Sequence, residues 1–267
     1  MKTRVISGII MLPLALLIYF GGYALMLGCM AVGLMGVREF YNGFKAMEVK
    51  ACYGIAVAST LLLYGLNYVE QNCATVGHQV YMVWFAASVL LSLLYLFDME
   101  HRKLEDGMAT LTGIFYVVFL SFHVTLVDQM DRYSILVWLI FLTAFGTDVM
   151  AYFSGYLFGK HKLCPVISPK KTIEGSVGGT LGSVILCGVF GYFLVPEILV
   201  HCLIIGLLGG IISQFGDLTA SIFKRKMGIK DYGNLIPGHG GVLDRFDSVL
   251  FTAPLVYYYV ILVIENI

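Results

Sequence analysis

Apolar residues run along this chain in long blocks separated by short polar breaks. The blocks fall near residues 5–20, 23–41, 51–68, 79–97, 107–127, 133–157, 175–195, 197–215 and 246–264. Most reach the roughly 20 residues that an α-helix needs to cross a bilayer. The pattern therefore predicts an all-α polytopic membrane protein with about nine transmembrane helices. Gly21-Gly22, between the first two blocks, predicts a tight helical hairpin. The expected organisation is a single integral membrane domain over residues 1–267. Within it, residues 1–130 form helices without motifs, and residues 131–267 form the catalytic helices and cytoplasmic loops.

Composition supports the same class. Hydrophobic residues make up 59% of the 267 and charged residues 13%, with a mean hydropathy of +0.85. A soluble domain carries about a quarter charged residues, so a water-soluble globular fold is excluded. Intrinsic disorder, which needs low hydrophobicity, is excluded too. The 17 basic and 17 acidic residues cancel, which argues against nucleic acid as a partner held by bulk charge. Their placement says more. With the N-terminus in the cytoplasm, sixteen Lys and Arg fall on the cytoplasmic side and only Arg132 outside, the asymmetry typical of membrane proteins. The C-terminus is then outside. Trp84 and Trp138 fall near outer helix ends, where interfacial anchors sit. Met1-Lys2-Thr3-Arg4 and the apolar run after it imitate a signal peptide, but no A-x-A-like cleavage site follows, so a retained first helix is expected. The six cysteines are scattered, without a CxxC, and read as small apolar residues rather than disulfides or a zinc site.

Chemistry concentrates in the C-terminal half. Asp148 lies inside the sixth block, and a carboxylate at the centre of a membrane helix costs about 2.5–3.5 kcal/mol. Function is its default reading, with a structural hydrogen bond between helices as the alternative. Tyr152 and Gly155 share its helix face. Residues 168–175 read Ser-Pro-Lys-Lys-Thr-Ile-Glu-Gly. Ser168 is expected to cap a helix with Pro169 at its first position. Lys170 and Lys171 at such a terminus would attract an anion, phosphate being the natural ligand; contact with lipid headgroups is the alternative. Neither GxxxxGK[ST] nor GxGxxG occurs. Gly178/Gly182 and Gly206/Gly210 have the GxxxG spacing of closely packed membrane helices.

Asp217, Ser221, Lys224 and Arg225 are spaced i, i+4, i+7, i+8, a polar stripe on one helix. A carboxylate below a hydroxyl and two cations suits a metal-bound polyphosphate. The loop from Lys230 to Gly241 is rich in turn formers, and Gly240-Gly241 would let backbone N–H groups approach a ligand. His239 reads either as a phosphate ligand or as an ordinary loop histidine. Asp244 and Asp247 follow at i, i+3, while Arg245 points elsewhere. Like charges on one face need a compensator, and two carboxylates with water and phosphate oxygens suit Mg²⁺. Two solvated carboxylates at a helix end are the alternative. No candidate nucleophile has a base beside it. The residues alone describe a cytoplasm-facing membrane site for metal-assisted transfer of a phosphate-containing group.

Over 27 residues, Ser221-Ile222-Phe223-Lys224-Arg225, Lys230-Asp231, Gly233, Ile236-Pro237, His239-Gly240-Gly241-Val242 and Asp244-Arg245-Phe246-Asp247 match a known signature without a departure. In these residues the chain resembles the phosphatidate cytidylyltransferases, or CDP-diacylglycerol synthases. The Ser168–Thr172 segment and the Asp148/Tyr152/Gly155 helix are similar to that family too. The resemblance implies the reaction of CTP with phosphatidate to give CDP-diacylglycerol and pyrophosphate, in phospholipid biosynthesis. It implies that Asp217, Asp244 and Asp247 hold one or two cations, Mg²⁺ and a second such as K⁺. Lys170, Lys171, Lys224 and Arg225 would neutralise phosphates, Ser168 and Ser221 would donate hydrogen bonds, and Lys230, His239 and Gly240 would complete the phosphate contacts. Asp148 would orient a cationic residue or touch the nucleotide. A homodimer among membrane lipids is implied, in a bacterial plasma or inner membrane, with the active site facing the cytoplasm. The rivals are a CDP-archaeol synthase or CTP-using polyprenol kinase, and a transporter, for which no inverted repeat is visible.

Overall fold

Glycine decides where the chain first turns. Gly21 and Gly22 both take positive φ, 59° and 56°, a region open to glycine at little cost. Residues 15–20 are helical, a second helix starts at Gly22, and a Cβ on Gly28 would meet the Leu17 side chain, so the chain folds back as expected. The structure is a computed structural model and describes residues 15–73, 77–234 and 240–266. Most of the first expected span, residues 5–20, lies outside the described residues, as does His239.

The helices are α1 (Gly22–Phe44), α2 (Tyr53–Asn72), α3 (Val80–Leu94), α4 (Leu104–Gly113), α5 (Leu120–Asp128), α6 (Val137–Phe158), α7 (Ile173–Leu194), α8 (Leu199–Lys226), α9 (Leu243–Phe246) and α10 (Val249–Tyr259). A π-helical stretch, Ile114–Phe119, joins α4 to α5. Among the described residues, six helices are long and apolar enough to cross a membrane: Gly22–Met47, Val80–Phe97, Leu104–Asp128, Ser134–Phe158, Ile173–Leu194 and Pro196–Lys226. Helix α2 has 20 residues but ends in Glu70, Gln71 and Asn72 and falls outside that set. The helix expected over 246–264 starts at Val249 and is shorter. Two short strands, β1 (Lys162–Cys164) and β2 (Ser168–Thr172), pair antiparallel, with Lys162 opposite Thr172 and Cys164 opposite Ser168. None of the six cysteines is in a disulfide.

Two compact units form: Met1–Phe122 with Met227–Asp244, and His123–Lys226 with Arg245–Ile267. Residues 227–244 thus belong with the N-terminal helices. In the first unit, Tyr41 donates its hydroxyl to the Thr110 carbonyl at 2.6 Å. Ser59 and Ser88 bond to each other at 2.7 Å. Trp84 is 1% exposed, donates to Ser59 Oγ at 2.9 Å and stacks on Phe119. It is therefore a core residue and not the interfacial anchor its position suggested. The cause is Ser59 of α2, which gives the buried indole N–H its partner.

The second unit packs α6, α7, α8 and α10 closely. A Cβ on Gly206 would meet the Ser183 carbonyl and Val184 Cα. The Gly206/Gly210 spacing thus serves backbone approach between α7 and α8, while Gly178 and Gly182 face Ser154 and Met150 of α6. Gln214 Nε2 ties α8 to α7 through Thr180 Oγ1 (3.0 Å) and the Ser176 carbonyl (3.2 Å). Thr252 of α10 donates to the Ile140 carbonyl of α6 at 3.1 Å.

Candidate functional site

The Ser-Pro-Lys-Lys segment corrects one expectation. Ser168 does not cap a helix; it begins β2, and α7 starts four residues later at Thr172-Ile173. Thr172 is the cap, its Oγ1 accepting the Gly175 N–H at 3.1 Å. Glu174 in the first turn accepts the N–H groups of Lys160 (3.1 Å) and His161 (3.2 Å) and pairs with His161 Nδ1 at 2.7 Å. The physical reason is competition between caps. Thr172 with an acidic first turn satisfies the helix N-terminus, and Pro169 is tolerated in an edge strand. Ser168 therefore gives α7 no anion site of the kind expected, but the two lysines are delivered from β2.

They are delivered to a cavity of about 390 Å³ in the second unit. Its lining includes Asp148, Tyr152 and Gly155 of α6, so the face shared by these three is real. Lys170 and Lys171 of β2 line it as well, with Gln214 and Asp217 of α8. Asp148 is accessible through this cavity. Lys171 Nζ forms an ion pair with Asp217 Oδ2. Gly175 makes the narrow approach possible: a Cβ there would meet the Ala151 carbonyl at 2.8 Å and Gly155 Cα at 3.2 Å.

Helix α8 runs unbroken to Lys226, so the expected stripe exists on one helix. Ser221 Oγ donates to Asp217 Oδ1 at 3.4 Å. Ser221 and Lys224 are buried, 8% and 9% exposed, whereas Arg225 is exposed and its Nε donates to the Ile167 carbonyl at 3.4 Å. Asp247 is buried in the turn before α10, with Oδ1 accepting the Ser248 N–H at 2.8 Å. Gly216 lets that turn lie against α8, since a Cβ there would meet the Asp247 carbonyl at 2.8 Å. Asp247 feels Asp217 and Asp148 as like charges and Lys224 as an opposite one. Asp148 in turn feels Asp217 as a like charge, with Lys171 and Arg245 as cations. The second unit thus gathers Asp148, Asp217 and Asp247 with Lys171, Lys224, Ser221 and Arg245. Arg245 acts on Asp148 as a counter-charge.

Asp244 belongs to the first unit, with Lys230 and Gly240. Its Oδ2 accepts the N–H groups of Tyr232 (2.8 Å) and Gly241 (2.9 Å). Glu39, from α1, accepts the N–H groups of Val242 (3.0 Å) and Leu243 (2.9 Å). The N–H of Gly241, expected to face a ligand, is therefore used by Asp244. Sequence reasoning missed Glu39; a lone carboxylate inside the apolar block 23–41 was the available signal. Lys230 is exposed.

The donor set fits a hard cation. Among the described residues, no group of three or more His, Cys, Asp or Glu side chains is arranged as a ready cage. Mg²⁺ does not require one. It is commonly held by one or two carboxylates, with water and substrate phosphate filling the other positions. Asp217 and Asp247, like charges set against each other in an enclosed setting, are carboxylates that such a cation would relieve.

Comparison with known proteins follows the same direction. The family model described as the cytidylyltransferase family matches residues 2–263. The chain is 35% identical to a phosphatidate cytidylyltransferase of Staphylococcus haemolyticus (strain JCSC1435) over 260 residues, 96% of this chain and 97% of that one. It is 36% identical to a phosphatidate cytidylyltransferase of Synechocystis sp. over 292 residues, 98% of this chain and 97% of that one. A third, from Staphylococcus aureus (strain COL), is 34% identical over 260 residues, again 96% and 97% of the two chains.

Proposed function

This chain belongs to the cytidylyltransferase family, and from that premise we propose that its carboxylate cavity is where CTP and phosphatidate react. The protein is a multi-pass membrane enzyme, a phosphatidate cytidylyltransferase of phospholipid biosynthesis. The observation that carries the placement of the site is the cluster of Asp148, Asp217 and Asp247 with Lys171 and Lys224.

In the reaction an oxygen of the phosphatidate phosphate bonds to the α-phosphorus of CTP. The α–β phosphoanhydride bond breaks, and its electron pair leaves with pyrophosphate. A phosphomonoester has its second pKa near about 6, so the lipid phosphate is largely ionised at neutral pH and needs no general base. The obstacle is repulsion between two anions, which neutralisation and alignment overcome. Lys170, Lys171, Lys224 and Arg225 neutralise the phosphates and the leaving group, and Ser168 and Ser221 donate hydrogen bonds to them. Lys171 is held ready by Asp217, and Asp148 holds Lys171 and Arg245 in orientation. Asp217 and Asp247 are the residues that would hold Mg²⁺, with a second cation such as K⁺ beside it. The metal, when bound, supplies Lewis-acid neutralisation of phosphate oxygens. Asp244 is proposed as a further cation ligand, and Lys230, His239 and Gly240 as phosphate contacts of their loop.

The remaining expectations belong to the same reading. Nine spans put the N-terminus in the cytoplasm and the C-terminus outside, in the plasma membrane of a bacterium, with the sixteen-to-one split of basic residues as support. CTP then enters from the cytoplasm and phosphatidate laterally from the inner leaflet, with the protein a homodimer. Purified protein tests the reaction. Pyrophosphate should appear only when CTP and phosphatidate are both present. Formation of CDP from CTP and a polyprenol would instead make the chain a kinase.

A further inference from the structure

The first unit holds a second cavity, of about 420 Å³, lined by Lys45, Glu48, Lys50, His101, Lys103 and Asp106. None of these residues lines the carboxylate cavity. Two segments build it. After α1 the turn Lys45–Met47 ends at Glu48, whose φ of 57° is the one positive value among the described non-glycine residues. That conformation is uncommon outside glycine, and strain of this kind gathers at binding sites. Here it reverses the chain so that Lys45 and Lys50 face one space. Asp106 fastens the second segment. It is 1% exposed, its Oδ1 accepts the Lys50 N–H at 2.6 Å and its Oδ2 accepts the Lys103 N–H at 2.9 Å. One carboxylate thus clamps the backbones of two lysines that are distant in sequence.

The lysine side chains are not spent on this construction. Among the described residues, Lys45, Lys50 and Lys103 make no ion pair, while His101 Nδ1 is 2.8 Å from Asp98. Three lysines against Glu48 and Asp106 leave the lining with one positive charge in excess while His101 is neutral. At the start of α4, Asp106 is the third helical residue and takes the N–H of Lys103 before the helix. Two candidate spans end and a third begins around this cavity, at Met47, Phe97 and Leu104. Phe97 and Met99 are 80% and 85% exposed. Large apolar side chains exposed a few residues before the exposed Lys103 suit the boundary between hydrocarbon and headgroups.

We propose that this cavity binds the phosphate of an anionic phosphodiester headgroup, separately from the reaction site. Its single excess charge matches the single negative charge of a phosphodiester, and three ammonium groups can donate to the non-bridging oxygens. Phe97 and Met99 enter the acyl region beside it. Free phosphate offers the same oxygens without chains, so these two side chains favour the lipid as the source. Binding of this kind weakens with salt.

Native mass spectrometry of the full-length protein in detergent tests the site, with short-chain phosphatidylglycerol as probe. Phosphatidylcholine of the same chains is the neutral comparison, and inorganic phosphate is the chain-free competitor. Wild type should retain phosphatidylglycerol about tenfold better than Lys45→Ala/Lys50→Ala/Lys103→Ala. Conversion of the same three residues to Arg should restore retention, and the charge-matched Lys160→Ala/Lys162→Ala/Lys226→Ala should keep it. A melting curve on each variant certifies its fold, and Lys45→Ala alone serves if the triple variant fails to fold. Displacement by millimolar inorganic phosphate supports a site for phosphate in general, and persistence against it assigns the lipid. Equal retention by wild type and the Ala variants overturns the proposal, as does equal loss in the charge-matched variant or equal uptake of phosphatidylcholine.

Discussion

Three carboxylates in the first unit accept backbone N–H groups in pairs. Glu39 takes those of Val242 and Leu243, Asp106 those of Lys50 and Lys103, and Asp244 those of Tyr232 and Gly241. Each pair offsets the desolvation of a charge placed among apolar neighbours. In the second unit the arrangement is different. Asp148, Asp217 and Asp247 stand as like charges, moderated by Lys171, Lys224 and Arg245. Glu174, holding the amides of Lys160 and His161, is that unit's one carboxylate of the first kind among those described above. The difference separates two uses of an acid within an apolar protein. Amide partners fix a loop and leave little charge to act on a ligand. Acidic partners keep the charge and create a demand for a cation.

The sharpest way to break this comparison is to remove charge from the second unit. Asp247→Asn or Asp217→Asn should lower CDP-diacylglycerol formation by on the order of 10³. Asp247→Asn should not lower the melting temperature, because it relieves repulsion with Asp217 and Asp148. Turnover near wild type, measured with radiolabelled CTP in detergent micelles, would take that residue out of the cation site. Exhaustive EDTA treatment should have an effect of the same size, reversed by Mg²⁺. Full activity after chelation would defeat the cation role altogether.

Asp244 carries the next largest expected effect. Asn at this position can keep both amide hydrogen bonds through its side-chain carbonyl, so the loop from Tyr232 to Asp244 should hold its shape. A loss of about a hundredfold in turnover, with an unchanged melting temperature, would show that the charge of Asp244 acts in the reaction. Near-normal turnover would restrict Asp244 to fixing its loop, as Glu39 does.

Much of this architecture is written in block length. Apolar runs near 20 residues leave few alternatives to a membrane helix, and the Asp217–Arg225 stripe needed only that α8 continue past the apolar run, which it does. The β1–β2 hairpin was hidden because Ser168-Pro169 obeys the rules for a helix start while also fitting an edge strand, and the cap that wins, Thr172, lies four residues further on. Trp84 looked interfacial because the serine that receives its N–H, Ser59, lies 25 residues away. Glu39 was unreadable for the same reason. Its partners, Val242 and Leu243, are set by packing between distant segments, and no local spacing encodes that.

The smallest expected effect falls on stability alone and sharpens the contrast from the other side. Asp106 is buried and gives each of its two oxygens to a different amide, those of Lys50 and Lys103. Asparagine has one oxygen and one NH₂, so one of those N–H groups would face a donor. A buried donor left without an acceptor costs about 1–3 kcal/mol. Asp106→Asn should therefore lower the melting temperature while leaving the rate of pyrophosphate release at saturating CTP unchanged. The Asp247→Asn variant should show the reverse pattern in the same two assays. If Asp106→Asn instead lost turnover and kept its melting temperature, amide-held and acid-held carboxylates would not differ in function, and the line drawn between the two units would be wrong.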